Sequence, residues 1–396
     1  MREQGMYGFP AMDHVIYGRP AADALVEEVA RLGATRVYLV VSRTLNTTTA
    51  EIEKIREALG SRYAGTFDSV PQHTTRTTVV TVAKAAREAS ADLMVAVGGG
   101  SVVDVAKTAI MCLEHEITEE EGLDGYERVA GAPGATSQRS FRSPKVRTIA
   151  IPTTLSGGEY NAGALLTDTK RKWKQIFYHP NMMPISIVLD PAITRHTPER
   201  LWLGSGTRSL DHGIEALCSR LGNPLVDAVV TKGIETLSSA LLRTKRDPSD
   251  IDARRMCQIG SWLSAFGLQA RVPMGASHAI GHVLGGTFGV PHYLITPVLL
   301  PAVLRYNKSA TTTAQRTIVE ALGSDDGNAA NVLEDLFDKL ELPCSLVEVG
   351  VSPTEFRRIG EIAVKSIFAK TNPRPLETPD AVVQLLQLAE RRTAVA

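Results

Sequence analysis

The sequence predicts an α/β N-terminal nucleotide-binding domain over residues 1–195, built on a doubly wound parallel sheet, and an all-α C-terminal domain over residues 196–396. Three observations carry this prediction. The runs RVYLVV (36–41) and DLMVAV (92–97) are apolar without alternation, as expected of strands covered on both faces of a parallel sheet. The second leads straight into Gly98-Gly99-Gly100-Ser101 and a helical stretch, the strand, glycine loop, helix order of doubly wound folds. Beyond Pro198 strand signals vanish and apolar residues recur only at helical spacing.

Taken in order, a strand is expected at 12–17, an amphipathic helix at 21–32, the first buried strand at 36–41, a helix at 77–90 and the second buried strand at 92–97. In GGGSVVDVAK, Gly98, Gly99 and Gly100 end that strand, and Ser101 and Asp104 fall in the first turns of the helix that follows. Free N–H groups and the helix dipole there favour a phosphate. The spacing is neither GxGxxG nor GxxxxGK[ST], and a tight turn needing φ > 0 is the plain alternative. Residues 114–145, rich in Gly, Pro, Ser and charge, read as a long loop or flap. A strand at 146–151 runs into PTTLSGGE, where Thr153 and Thr154 suit a nucleotide or a simple hydroxyl turn. The last strand is expected at 185–189, and helices at 203–220, 225–243, 249–268, 276–284, 311–322, 330–340, 353–365 and 379–391.

Lys plus Arg and Asp plus Glu balance at 43 each, so no basic surface argues for nucleic acid, and small-molecule ligands are expected. Cys112, Cys218, Cys257 and Cys344 form no CxxC pair, against a disulfide framework or a thiolate zinc site. No apolar run approaches the roughly 18 residues of a membrane helix, and a cytoplasmic protein without a membrane partner is expected.

The densest chemistry lies in GASHAIGHVLGGTFGVPH (275–292). His278 and His282, at i and i+4, share a helical face, and His292 follows Pro291 on a segment long enough to turn back toward His278. Upstream, Arg208, His212 and Glu215 recur at i, i+4 and i+7. One histidine alone is usually a satisfied helix residue; four on two such segments point to a site.

Together GGGSVVDVAK, IPTTLSGGE, VLDP, the 208–215 stretch and SHAIGHVLGGTFGVPH with VLLPAVLRYN resemble the iron-containing alcohol dehydrogenase superfamily, over residues 12–391. The resemblance implies the dehydroquinate synthase-like fold of that superfamily, a nicotinamide cofactor between the two domains, and a homodimer or larger homo-oligomer. In its metal-dependent members an Asp and a His four residues apart, with two further histidines, hold a divalent ion. The histidine positions fall on His212, His278 and His292, and the aspartate position falls on Arg208. A guanidinium stays protonated and offers no lone pair, so no metal is expected. Asp211 precedes His212 by one residue, which sets it about a quarter turn away.

PTT-x-x-G-x-E at 152–159 and SHAIGHVLGG further resemble the metal-free maleylacetate reductase branch, although that branch usually carries Asn where this chain has Arg208. What this implies is an NAD(P)H-dependent reductase of a small anionic oxo or unsaturated acid, with Arg208 in the cation's role. His212, His278 and His292 flank it, and His282 serves substrate positioning or proton relay. Ser42, with Arg43 and Thr44, stands where NAD-preferring relatives often carry an acid, which leaves NAD and NADP both open. The alternatives are a metal-dependent alcohol or aldehyde dehydrogenase using His212, His278 and His292, and a non-redox lyase that uses NAD.

Overall fold

Strands without polar alternation need cover on both faces, and the computed structural model provides it. It describes residues 7–71, 74–128, 137–171 and 173–390. Residues 129–136 of the expected 114–145 loop, and the helix end expected at Arg391, lie outside them. The chain divides into two compact units between Thr197 and Pro198.

The first unit contains β1 (His14–Tyr17), α1 (Ala21–Arg31), β2 (Val37–Val41), α2 (Arg43–Thr48), α3 (Glu51–Leu59), β3 (Tyr63–Phe67), α4 (Arg76–Glu88), β4 (Leu93–Gly98), α5 (Gly100–Glu114), β5 (Arg147–Pro152), β6 (Gly163–Asp168), β7 (Trp173–Tyr178) and β8 (Ser186–Leu189). Six strands form a sheet in the order β1-β8-β5-β4-β2-β3. Each neighbouring pair is parallel. β2, β4 and β8 are buried at every residue, and Val37, Leu39, Val95, Ile149 and Val188 pack with Leu25, Val29, Ile52 and Ile55 of α1 and α3. Burial of both faces is what the unbroken apolar runs specified. Asp190, just past β8, accepts from the N–H of Ala21 at 2.8 Å and so holds the start of α1 at the sheet's end.

Five elements here were not expected, the short helix α2 among them. Helix α3 and strand β3 lie between the first two buried strands, and β6 and β7 pair antiparallel as a separate hairpin, Gly163 opposite Tyr178. The expected flap is tied down in its described part. Arg76, buried on α4, donates to Asp124 at 2.7 Å, to the carbonyl of Glu120 at 3.1 Å and to Gln175 of the hairpin at 2.8 Å.

The second unit is helical: α6 (Glu199–Cys218), α7 (Pro224–Arg246), α8 (Ile251–Ser264), α9 (Phe266–Gln269), α10 (Ala276–Thr287), α11 (Ile295–Asn307), α12 (Thr312–Ala321), α13 (Ala329–Lys339), α14 (Phe356–Ala363), α15 (Ile367–Thr371) and α16 (Pro379–Glu390). The helix expected at 249–268 is broken at Ala265 into α8 and α9. Its N-terminus is set by Asp250, whose carboxylate accepts from the N–H of Ala253 at 2.8 Å. Ile280, Leu284, Leu299, Val303, Ile359, Leu385 and Leu386 form the core around α10 and α11. Among the described residues no helix is long and apolar enough to cross a membrane.

Glu159, in the turn after PTTLSG, is 2% exposed, and burial pushes its carboxyl up to about 7. The folded protein therefore keeps a proton that the unfolded chain, near the usual 4.5, has lost. Its contribution to stability falls as pH rises from about 4.5 to about 7. Glu159→Gln is expected to flatten the fall in unfolding free energy between mildly acidic and mildly basic pH, by up to ~3 kcal/mol, in urea denaturation at fixed temperature.

Candidate functional site

Helix α6 is buried from Trp202 to Cys218 at every residue except Arg208. Arg208 keeps 11% of its side chain exposed and donates from Nη1 to Oδ2 of Asp211, at 2.7 Å, one turn along the same helix. Asp211 is fully buried, and the same Oδ2 accepts from Ser277 at 2.8 Å and Thr296 at 3.3 Å, so one carboxylate oxygen gathers α6, α10 and α11. Gly281 of α10 faces the guanidinium: a Cβ there would stand 4.0 Å from Nη1 of Arg208.

One further turn along α6, Glu215 accepts from the N–H of Gly275 at 2.9 Å and of Ser277 at 2.8 Å. It thus caps α10, whose own N-cap residue, Gly275, has no side chain to do so. Oε2 of Glu215 lies 2.6 Å from Nδ1 of His278. Asn372 supports the same corner, accepting from the N–H of Ala276 at 3.0 Å and exchanging amide hydrogen bonds with Asn307.

The histidines form a row. Ring centres are 5.1 Å apart for His212 and His278, 6.2 Å for His278 and His282, and 6.3 Å for His282 and His292. Phe368 stands edge-on to His278 and His282. His292 does turn back onto α10, but onto its last turns: a Cβ at Gly285 would lie 2.8 Å from its Nε2. Three buried polar atoms in this cluster have no hydrogen-bond partner among the described residues: Oδ1 of Asp211, Nδ1 of His212 and Nε2 of His278.

Burial pushes the Asp211 and Glu215 carboxyls up; for Asp211 the neighbouring Glu215 adds to the rise, and Arg208 opposes it in both. Two buried acids share one guanidinium, and the second acid favours keeping its proton. His212 and His278 are driven well below the usual imidazole range, by burial first. Among other causes, His278 and Arg208 act on His212, and Arg208 acts on His278.

Among the described residues the ligand-type atoms that gather within 4.8 Å belong to Asp211, Glu215 and His278, not to the histidine triplet expected for a metal. Several of their lone pairs already have partners, while Oδ1 of Asp211 and Nε2 of His278 have none among the described residues. Oδ2 of Asp211 already takes an arginine and two hydroxyls, the Glu215 oxygens take two backbone N–H groups, and the guanidinium occupies the place of positive charge. Asp211 is the residue that the sequence reading set aside. Seen from Arg208 it is at i+3 and seen from Glu215 at i−4, spacings that put all three on one face.

In the first unit, Ser42, Gly98, Gly99, Thr153 and Thr154 meet at the carboxyl ends of the adjacent strands β2, β4 and β5. The N–H of Thr153 donates to the carbonyl of Gly98 at 3.0 Å, and that of Ser42 to Val97 at 2.9 Å. None of Gly98, Gly99 and Gly100 has positive φ, so the turn alternative does not account for them. Close approach does. A Cβ at Gly98 would lie 2.8 Å from Val102, at Gly99 3.2 Å from Thr154, and at Gly100 3.0 Å from Ser156. Helix α5 starts at Gly100 without a side-chain cap. An uncapped helix end between a glycine turn and a hydroxyl loop, at the carboxyl edge of a parallel sheet, fits a dinucleotide's phosphates. Asp104 faces elsewhere, 3.3 Å from the ammonium of Lys107 and accepting from the N–H of Leu165 at 3.3 Å.

Residues 13–191 match the family described as iron-containing alcohol dehydrogenase, and residues 204–389 match the C-terminal part of the same family. The chain belongs to the iron-containing alcohol dehydrogenase family. It is an oxidoreductase of a fold shared with maleylacetate reductases, in a family that depends on NAD(P) and often binds iron. It is 32% identical to a maleylacetate reductase of Burkholderia cepacia over 95% of both chains, and 30% identical to dehydrogenase FUM7 of Gibberella moniliformis over 95% and 96%. The crystal structure of maleylacetate reductase from Rhizobium sp. strain MTP-10005 superposes with a TM-score of 0.83 at 26% identity, covering 98% of this chain and 99% of that one.

Within this family member the His292 ring depends on a missing side chain. Gly285→Ala is expected to displace it, lowering kcat/KM at least tenfold and stability by about 1–3 kcal/mol, read from steady-state kinetics and denaturant unfolding. Unchanged values for both would show that the ring has room to step aside.

Proposed function

We propose that this chain is an NAD(P)H-dependent reductase of the maleylacetate reductase type, acting on a small anionic oxo or unsaturated acid with Arg208 in place of a metal ion. The observation that carries the reading is the guanidinium itself. Arg208 is the least buried residue between Trp202 and Cys218 of α6, with 11% of its side chain exposed, and it is fixed by Asp211 beside His212 and His278, whose imidazoles burial holds well below their usual range. A fixed guanidinium binds a carboxylate, or stabilises the oxygen on which charge develops.

When bound, the dihydronicotinamide supplies the hydride. Gly98 to Ser101, Thr153 and Thr154 would hold its phosphates, and Ser42 its ribose side. Arg208 would bind the substrate's carboxylate or face the oxygen on which negative charge develops during reduction. The product then takes a proton. Nε2 of His278, without a partner among the described residues, is the candidate donor, and a proton lost there would be replaced at Nδ1 from the Glu215 carboxyl 2.6 Å away. His212, His282 and His292 shape the site around the substrate.

Arg208→Met is expected to raise KM for anionic substrates by roughly 30- to 100-fold, the ~2–3 kcal/mol of a charge-assisted hydrogen bond, with a much smaller effect on uncharged carbonyl compounds. Equal KM values for both substrate classes in the variant and the parent would refute the arginine's role.

The cluster of Asp211, Glu215 and His278 is the one observation favouring a metal-dependent alcohol dehydrogenase. Metal content per chain, measured by plasma mass spectrometry on protein purified without chelator, separates the readings. The proposal expects less than a tenth of an equivalent of zinc or iron in protein that still oxidises NAD(P)H with an oxo acid. Stoichiometric metal, with activity lost on chelation, would favour the alternative.

A further inference from the structure

Lys107 is fully buried on α5, and the reaction outlined above does not use it. Its Nζ donates to the carbonyls of Gly158 and Asn161, at 2.9 Å each, and to that of Gly163. The Asp104 carboxylate lies 3.3 Å away. Three carbonyl dipoles converging on one buried point repel one another unless a cation sits between them, the arrangement by which proteins hold monovalent ions. An ammonium has three N–H donors, one for each carbonyl; a neutral amine would turn a lone pair toward one of them. Burial pulls the lysine downward from its usual range, and Asp104 opposes that. With no exposure and every N–H engaged, this amine is available neither as a base nor as a nucleophile.

The carbonyls it gathers belong to the segment that continues PTTLSGGE into β6, while Lys107 itself lies two turns along the helix that Gly100 and Ser101 begin. The two segments also touch at the start of α5. Gly99 faces Thr154, and the Cβ position of Gly100 is 3.0 Å from Ser156. We propose that Lys107 is a tethered cation which sets the spacing between the glycine turn and the hydroxyl loop, and so is a positioning residue for the dinucleotide phosphates. The second half of this rests on the reductase reading; the first does not.

Lys107→Ala deletes the three methylenes and ammonium that n-propylammonium would restore. The variant is expected to bind NADH and NADPH at least tenfold more weakly by nicotinamide fluorescence, raising KM for the cofactor far more than it lowers kcat. Tens of millimolar n-propylammonium should recover at least threefold of the loss and raise the variant's Tm. n-Propanol, of similar size without the charge, should do neither. Lys107→Met, which fills the space without the charge, should stay weak for cofactor and gain nothing from the amine. Lys107→Met with parental cofactor affinity, or equal effects of the amine and the alcohol on Lys107→Ala, would overturn the proposal. Should the parent protein bind neither NADH nor NADPH, the reductase reading fails, and the Tm comparison between amine and alcohol still decides whether Lys107 is a tethered cation.

Discussion

A guanidinium held against a carboxylate almost out of reach of water is the constraint on which the helical unit's chemistry depends. Asp211 is completely buried, and Arg208 nearly so. An isolated charge in either place would be costly; together they are tolerable, the more so because Ser277 and Thr296 complete the oxygen's hydrogen bonds. The same contacts fix α6, α10 and α11 to one another. The charge that would face a substrate is thereby part of the helix packing, and it adds to the burial that drives His212 and His278 well below the usual imidazole range.

The other acid on that face does different work. Glu215 takes the place of a helix cap for α10, and its remaining contact is with an imidazole on the same helix. The backbone that presents His278 and the group that sets its proton are therefore controlled by one side chain. In the sheet unit the corresponding economy is of volume: three glycines without left-handed backbone let two strand ends and a helix start come within van der Waals range.

The fold class was legible because its signals are local. Strands buried on both faces read as unbroken apolar runs, and most of the helices carry one polar face. Two of the elements that escaped lack those signatures. Helix α11 is buried on nearly every side and contains Pro301, so it shows no helical period. Strand β3 is an edge strand with Gly65 in it and no fully buried residue, too weak to stand out. For α3 the signal was present, in Ile52, Ile55 and Leu59 on one face. At the site, Arg208 and the histidines could be found from i, i+4 spacing. Asp211 was misjudged by measuring its angle from His212 rather than from Arg208. Ser277, Thr296 and Asn372 could not be found at all, since what they contribute is set only when distant segments meet.

The sheet order has a consequence for how the chain acquires its shape. The first strand pairs with the last, His14 against Ser186, while the strands between them in sequence lie to one side. No local hairpin can nucleate such a pairing, and the loop it closes spans nearly the whole unit. On the ribosome β1 must wait for β8, leaving Val15 and Ile16 without their partner strand until about residue 189 has emerged. The helices that follow have by then not been made, so the sheet unit has the opportunity to close before the helices that carry His212, His278 and His282 exist.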